Sequence, residues 1–284
     1  MRFSMKVHAG YQISYDCPQP TPMILQLSVH PSRVADLETP DRIRLDPPLP
    51  ANTYHDSFGN FCHVIRAGAG RLTMSTDFVA RDAGTPDPIA PQARQHALEE
   101  LPVDVLIFLL GSRYCETDRL MTTAWSLFGK IPKGWPLVQA ICDFVHERIA
   151  FGYAHANPMK TAFDAYTERR GVCRDFAHLA VTLCRCMNIP ARYCTGYLGD
   201  IGVPPDPEPM DFSAWFEVYL GDRWYTFDAR HNAPRIGRIL MARGRDATDV
   251  AIVTSFGPCT MVGFRVITEE VAESRPAVLD GQAP

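Results

Sequence analysis

The chain has 284 residues, of which 46% are hydrophobic and 21% are charged, and its formal net charge at pH 7 is -4. This is the composition of a globular protein long enough for one large or two modest domains. The chain contains no run of five lysines or arginines, so a nucleic-acid partner is not expected. It also lacks any uninterrupted apolar stretch of about 18 residues, so no membrane span is expected.

The amino terminus and the cysteines bear on the compartment of the protein. Residues 1–6 lack the apolar core of a signal peptide, so a cytoplasmic location is predicted. The nine cysteines are odd in number and scattered, and we interpret them as reduced thiols. They contain no Cys-x-x-Cys pair and do not have zinc-site spacing, so neither a metal nor another cofactor is expected.

The first 82 residues are predicted to be rich in β-strands. Apolar residues alternate at 6–15 and 23–29, and further strand-like segments follow at 61–65 and 71–79. Frequent prolines in this region argue against helices. The region is therefore predicted to form an antiparallel sheet or sandwich.

A linker is predicted at 82–91, after which the hydrophobic period becomes helical. Helices are predicted at 92–101, 117–128, 135–149 and 161–170. We therefore predict an N-terminal β-rich domain at 1–90 and a second domain at 91–284, which includes the C-terminal strands.

A further helix is predicted to begin at Cys173. Gly171 is a stop signal for the preceding helix, and the apolar-periodic run 176–187 follows. A thiol at a helix N-terminus lies near the positive end of the helix dipole and near unpaired N–H groups, which lower its pKa. The same N–H groups can stabilise the oxyanion of an acyl intermediate. Cys173 is therefore a candidate nucleophile.

Two later strands supply a candidate orienting acid. Segments 213–220 and 223–227 are predicted to form a hairpin, and Asp228 ends its second strand. An aspartate in this position can orient the imidazole that takes the proton from a catalytic thiol. The Pro-rich segment 202–209 is predicted to be a surface loop beside the site.

Four sequence blocks, in this order, resemble the catalytic core of bacterial transglutaminase-like proteins, which are often described as cysteine proteases. The blocks are GVCRDFAHL (171–179), NIPARY (188–193) with Gly196-Tyr197, AWFEV (214–218) and WYTFD (224–228). The resemblance covers roughly residues 135–230, and the N-terminal region with its turn at 56–60 is similar to the domain that accompanies this core. The resemblance implies an α+β, papain-like fold, in which a helix bearing the nucleophile packs on an antiparallel sheet bearing His and Asp. It also implies that Cys173 is the nucleophile and Asp228 the orienting acid.

The chain departs from this family at the catalytic histidine. Ser213 stands in the histidine position, directly before Ala-Trp. A hydroxyl does not accept a proton from a thiol at neutral pH, although it can hydrogen-bond a thiolate. Among nearby aromatic residues, Trp215 and Tyr197 are candidate substrate-binding residues, with core packing as the alternative. Arg230 and Arg235 can pair with acidic substrate groups or belong to the charged surface.

Three other histidines are candidates for the base. His178 lies five residues after Cys173, about 140° around the helix axis, and is interpreted as a packing residue. His155 lies in a loop before the nucleophile helix. His231 follows Asp228 by three residues and can fold back toward the site as a substitute base.

The sequence therefore predicts cysteine-dependent acyl transfer, or hydrolysis of peptide or amide bonds, through a thioester on Cys173. The reaction is expected to be weakened because Ser213 replaces the histidine, and a peptide or protein is the expected partner. The alternative is a catalytically inactive module that binds peptides or proteins. A serine hydrolase is rejected because no Gly-x-Ser-x-Gly motif surrounds Ser213.

Overall fold

Two four-stranded antiparallel sheets are built from the N-terminal strands together with two strands from near residue 260. The computed structural model describes residues 5–206 and 210–271. Strands are numbered in chain order. The first sheet has the spatial order β14 (Thr260–Glu270), β1 (Met5–Cys17), β6 (Gly70–Asp82) and β3 (Arg44–Asp46). The second has the order β13 (Val253–Ser255), β2 (Thr21–Leu25), β5 (Phe61–Ala67) and β4 (Asn52–His55).

These two sheets enclose one apolar core. Every second residue of β1 is buried from Val7 to Ile13, as expected for a strand with one face toward a core. The same cluster contains Met23 and Leu25 of β2 and Leu72 of β6. The predicted N-terminal antiparallel β sandwich is therefore confirmed.

The last two strands among the described residues belong to this sandwich. β14 pairs with β1 from Val7 opposite Glu270 to Asp16 opposite Thr260, and β13 pairs with β2. The sequence interpretation grouped these strands with the second domain, and in this respect the structure differs. β14 makes hydrogen bonds with the edge of β1 that would otherwise be unpaired. The periodicity of a single segment does not indicate which distant strand pairs with it. The domain boundary at residue 90 stays a prediction.

A disulfide closes the sandwich at one end. Cys17, the last residue of β1, is bonded to Cys259, which directly precedes β14, with 4.4 Å between their Cα atoms. The prediction that all nine cysteines are reduced is therefore wrong for this pair. The two residues are 242 positions apart and meet because β1 pairs with β14. The other seven cysteines are free.

In the part of the chain that the structure describes, four α-helices precede or pack on the remaining sheet: α1 (Thr117–Phe128), α2 (Trp135–Arg148), α3 (Ala162–Glu168) and α4 (Cys173–Cys186). Short 3-10 helices lie at Pro31–Asp36, Leu98–Glu100, Val103–Leu109 and Tyr153–His155. Within the described ranges, no helix is long and apolar enough to cross a membrane.

The helix predicted at 92–101 is absent apart from the 3-10 turn Leu98–Glu100. Its backbone is engaged by other parts of the protein. The carbonyl of Ala93 accepts a hydrogen bond from the N–H of Trp135, and the carbonyl of Arg94 accepts one from Gly221. These tertiary contacts replace the bonds that a helix would have made.

The third main sheet has the antiparallel order β11 (Arg223–Phe227), β10 (Ser213–Leu220), β9 (Ala191–Tyr197) and β12 (Ile239–Gly244). Two short strands that precede α4 in the chain, β7 (Ala150–Phe151) and β8 (Arg170–Gly171), form a separate parallel pair. Phe216, Val218 and Leu220 of β10 share one buried cluster with α4. The predicted α+β, papain-like core, with a cysteine-bearing helix packed on an antiparallel sheet, is confirmed. In the predicted loop at 202–209, residues 207–209 lie outside the described residues.

Candidate active site

Cys173 is the first residue of α4, and its thiol is free and partly exposed. The helix begins here because Val172 donates its N–H to Oδ2 of Asp175 at 2.9 Å, which pairs a group that a helix start otherwise leaves free. The Asp175 side chain packs against Gly171, where an added Cβ would lie 2.7 Å from the Cβ of Asp175. Glycine is therefore needed directly before the segment that presents the thiol.

The environment of Cys173 disfavours the thiolate in the resting protein. Burial raises the pKa of Cys173 to about 11, and the Asp211 carboxylate adds to this rise. The backbone N–H of Ala214 and the charge of Arg230 act in the opposite direction. The sequence had predicted a lowered pKa from the helix N-terminus, and burial outweighs that effect. Nucleophilic attack at neutral pH therefore requires a base.

Ser213 occupies the start of β10, opposite Gly196 of β9. It is 7% exposed, and its carbonyl accepts a hydrogen bond from the Thr195 hydroxyl at 3.1 Å. Ser213 lines a small cavity together with Tyr153, Asp211, Arg230 and His231. The structure thus brings Ser213 and His231 to the same cavity.

Asp228 lies directly after β11 and is almost completely buried. Its Oδ2 accepts a hydrogen bond from Nη2 of Arg238 at 2.8 Å and lies 2.8 Å from Nδ1 of His231. Burial alone would raise the pKa of this carboxyl, but Arg238 and His231 hold it well below its usual range. Asp228 is therefore ionised at neutral pH.

The turn after Asp228 returns His231 to the carboxylate. Oδ1 of Asp228 accepts hydrogen bonds from the N–H groups of Arg230 at 3.0 Å and His231 at 3.1 Å. The N–H of Asn232 donates to the Asp228 carbonyl at 2.8 Å and closes the turn. Because Asp228 is ionised, we assign the proton of His231 to Nδ1, which leaves Nε2 as the accepting nitrogen.

Sequence reasoning missed three charged residues near this site. Arg238 contacts Asp228, Asp87 contacts Arg238 at 2.9 Å, and Asp211 lies close enough to raise the pKa of Cys173. Asp87 comes from the predicted linker, far from Asp228 in the chain. No motif or period marks such residues, because their contacts depend on how distant segments meet.

Tyr197 and Trp215 are both buried, although Trp215 borders a cavity that Arg238 also lines. Tyr197 is completely buried, and its ring packs against Phe78 and Phe212 with centroids 5.5 and 5.3 Å away. Trp215 is 2% exposed, and the Arg238 guanidinium lies 5.0 Å from its ring centroid. This burial favours core packing, the alternative weighed for both residues, because β9 and β10 are buried on both faces. That they bind substrate stays a prediction.

The other histidines weighed from the sequence are accounted for differently. His178 stacks on Tyr114 with ring centroids 5.0 Å apart, and its Nε2 accepts a hydrogen bond from the N–H of Ala247 at 3.1 Å. Burial lowers the pKa of His178 to about 3, so its ring is neutral and serves packing. His155 ends a 3-10 turn, and its ring lies against Gly152.

The arginines after Asp228 form ion pairs within the protein. Arg230 lies 3.5 Å from Asp206, and Arg235 lies 3.5 Å from Asp200. To bind an acidic substrate group, either arginine would have to give up its ion pair within the protein. In the described part of the chain, no group of three or more His, Cys, Asp or Glu side chains is arranged to hold a metal ion.

Comparison with known proteins places this arrangement in a family. The family model of the transglutaminase-like superfamily matches residues 129–229. A solved structure from Cytophaga hutchinsonii, named a "putative cysteine protease", is 30% identical and superposes with a TM-score of 0.82, covering 96% of this chain and 93% of that one. The chain belongs to the transglutaminase-like superfamily. The matched residues include Cys173, Ser213 and Asp228 and end before His231.

Two bacterial relatives of this superfamily member are uncharacterized proteins. One, from Mycobacterium tuberculosis, is 28% identical over 237 residues, which cover 74% of this chain and 73% of that protein. The other, from Mycobacterium leprae, is 38% identical over 95 residues, which cover 32% of this chain and 33% of that protein. The match to the Mycobacterium leprae protein thus spans about a third of its length. Family membership and the Cytophaga hutchinsonii structure support a cysteine-dependent activity.

Proposed function

We propose that this protein is a cysteine peptidase or amidase in which Cys173 is the nucleophile, His231 the base and Asp228 the group that orients the base. The observation that carries the proposal is the 2.8 Å contact between Nδ1 of His231 and Oδ2 of Asp228. It provides an imidazole–carboxylate pair even though Ser213 stands in the family's histidine position. The name of the Cytophaga hutchinsonii protein supports the reaction class.

In this mechanism, Nε2 of His231 takes the proton from the Cys173 thiol, and the thiolate attacks the carbonyl carbon of an amide. The N–H of Ala214 faces the sulfur and stabilises the thiolate. First-turn amides of α4 stabilise the oxyanion of the tetrahedral intermediate. The imidazolium then gives its proton to the leaving amine, and a thioester remains on Cys173. Water or a second amine, deprotonated by His231, takes the acyl group and restores the thiol.

Asp228 has an electrostatic part in this cycle. Because its pKa is held low, it remains ionised when His231 gains a proton, and it stabilises the imidazolium. We propose that the base enters the cavity from the turn after β11 and not from β10. Ser213 then contributes a hydroxyl at the cavity wall and takes no proton.

The expected partner is a peptide or protein substrate. The cytoplasmic location predicted from the amino terminus stays untested. The Cys17–Cys259 disulfide weighs against it, because structural disulfides are typical of oxidising compartments.

Alkylation of Cys173 tests the proposal without a known substrate. The other six free cysteines, which are Cys62, Cys115, Cys142, Cys184, Cys186 and Cys194, are all buried. Better access to solvent is by itself enough to make Cys173 react faster than these six. A faster rate at one pH therefore does not show that the thiol is activated. The informative measurement is the pH dependence of its rate with iodoacetamide, followed by peptide mass spectrometry from pH 5 to pH 11.

We expect His231→Gln to lower the rate at Cys173 by about 10²-fold at pH 7, the lower end of what a positioned general base contributes. The rate of this variant should recover only toward pH 11, where the thiol itself ionises. His155→Gln removes a different histidine near the site and should match the wild type. Equal pH profiles for wild type and His231→Gln would remove His231 from the mechanism.

A second function is favoured by one observation. Burial raises the pKa of Cys173 to about 11. The sequence resemblance also puts Ser213 at the position of the family's base. A protein without a working base would be an inactive transglutaminase-like module that binds peptides or proteins. The same alkylation profile separates the two functions, because the binding module predicts no effect of His231→Gln.

A further inference from the structure

We propose that Asp87 and Arg238 are positioning residues of this site, and that they hold the Asp228 carboxylate in the orientation and charge state that His231 needs. This inference rests on the proposed function. Both residues lie outside the region matched by the family model, as His231 does. The site would thus depend on a segment between the N-terminal sandwich and the helices.

The Asp228 carboxylate is held by four separate groups. Two backbone N–H groups of the turn bind Oδ1. Oδ2 is shared between Nδ1 of His231 and Nη2 of Arg238, each at 2.8 Å. A carboxylate with all of these partners cannot rotate without losing at least one of them. Arg238 therefore determines where Oδ2 lies relative to His231.

Arg238 is itself fixed from several directions. It is 7% exposed, its Nε donates to Oδ2 of Asp87 at 2.9 Å, and its guanidinium lies beside the Trp215 ring. Its carbonyl accepts a hydrogen bond from Nη1 of Arg33 at 2.8 Å. The side chain thus bridges two carboxylates from different parts of the chain.

Asp87 is tied to the same place by its backbone. Its N–H donates to the carbonyl of Arg235 at 3.0 Å, and its Oδ2 accepts the N–H of Arg235 at 3.0 Å. These reciprocal bonds hold residue 87 next to the segment that carries Arg238. The position of Asp87 is therefore not a chance arrangement of an exposed side chain.

The charges explain why a second carboxylate is needed. Arg238 alone would neutralise Asp228, and His231 would face a pair with no net charge. Arg230 and Arg235 also lie near this group, and each is paired with an acid of its own, Asp206 and Asp200, at 3.5 Å. With those pairs balanced, Asp87, Arg238 and Asp228 together carry a net charge of −1. This charge stabilises a protonated His231 while Arg238 keeps Asp228 ionised. Asp87 thus restores the negative charge that Arg238 would otherwise cancel.

The test compares Asp87→Asn with Asp77→Asn in the full chain. Asp77 lies on β6 and pairs with His8 of β1 at 2.8 Å on the exposed side of the sandwich. The measurements are the pH profile of Cys173 alkylation and the thermal midpoint of each variant. We expect Asp87→Asn to lower the alkylation rate at pH 7 by about tenfold, as the loss of one nearby charge in a buried setting implies. Asp77→Asn should match the wild type.

Two further variants guard against a loss caused by misfolding. Asp87→Glu keeps the charge and should restore at least part of the rate. Arg238→Lys keeps a positive charge but lacks the planar fork that holds both carboxylates, so it should also be slow.

The outcomes separate this inference from the proposed function. If His231→Gln alkylates like the wild type, the proposed base fails and this inference fails with it. If His231→Gln is slow while Asp87→Asn is normal, only the positioning role is overturned. A slow Asp87→Asn whose rate loss matches its unfolded fraction, with no rescue in Asp87→Glu, also overturns it. A slow, folded Asp87→Asn with rescue by Asp87→Glu supports it.

Discussion

Replacing Asp175 with alanine is expected to lower the free energy of unfolding by about 2 kcal/mol. Asp175 is 1% exposed, and its Oδ2 accepts the N–H of Val172 at 2.9 Å at the start of α4. Alanine leaves that N–H without its partner, and losing a helix cap or a buried acceptor costs about 1–3 kcal/mol. For a chain of this size, a change of about 2 kcal/mol corresponds to a thermal midpoint roughly 5 °C lower.

Asp175→Asn separates the hydrogen bond from the charge. Its amide oxygen can still accept the N–H of Val172, so this variant should stay close to the wild type. Burial raises the pKa of Asp175, so the folded protein binds this proton more tightly than the unfolded chain. The stability that the protonated carboxyl contributes is present below the unfolded pKa of about 3.9 and is lost as the pH rises through the folded value. The free energy of unfolding of Asp175→Asn should therefore rise relative to that of the wild type between pH 4 and pH 7.

The assay is urea denaturation followed by circular dichroism at pH 4 and pH 7, with thermal unfolding as a second measurement. If Asp175→Ala lies within about 0.5 kcal/mol of the wild type, as an ordinary surface substitution would, the cap does not hold the start of α4. Equal losses in the alanine and asparagine variants would show that the acceptor oxygen is not the source of the stabilisation.

Three other changes should alter stability. Replacing Cys17 and Cys259 together with serine should cost about 2–5 kcal/mol, because the bond closes a loop of 242 residues, and a matching fall in the wild-type thermal midpoint under a reducing agent checks this. Gly171→Ala should cost about 2 kcal/mol in urea, since its Cβ would lie 2.7 Å from the Cβ of the capping aspartate, whereas Gly68→Ala, with open space around it, should be nearly neutral. Phe216→Ala should cost about 3–5 kcal/mol by calorimetry, because this side chain is completely buried beneath α4. A loss below about 1 kcal/mol there would contradict the packing described.

The proposed base raises a point about how this site relates to its family. The matched region contains the proposed nucleophile Cys173, the proposed orienting acid Asp228 and Ser213, and it ends before His231. Under the proposed mechanism, the imidazole has moved from β10 to the turn after β11 and has kept a carboxylate partner in Asp228. Only the direction from which the base approaches would differ. The hydrogen bonds from the N–H groups of Arg230 and His231 to the Asp228 carboxylate make this possible, because they reverse the chain within three residues.

Local patterning was sufficient for many elements of this protein. The helix Thr117–Phe128 and the strands Ser213–Leu220 and Arg223–Phe227 have the bounds that hydrophobic period and turn residues predicted. The helix that begins at Cys173 was also predicted, because a stop glycine and an apolar period are signals within a few residues of each other. These features depend on neighbours in the chain, so a single sequence carries them.

Contacts between distant segments were decided only by the tertiary structure. The pairing of β14 with β1, and with it the disulfide, joins the two ends of the described chain. The segment 92–101 does not form the predicted helix because its backbone makes hydrogen bonds with residues far along the chain. Hydrophobic periodicity does not predict either feature, because the interacting partner is not a neighbour in sequence.

The site divides in the same way. The sequence identified Cys173 and Asp228 by their position at a helix start and a strand end, and it kept His231 as one option among several. The contact of His231 with Asp228 and the roles of Arg238 and Asp87 required the folded chain. The pKa of Cys173 shows the physical reason most clearly. A helix start alone predicts a lowered value, but burial by surrounding segments raises it to about 11, and burial belongs to the whole fold.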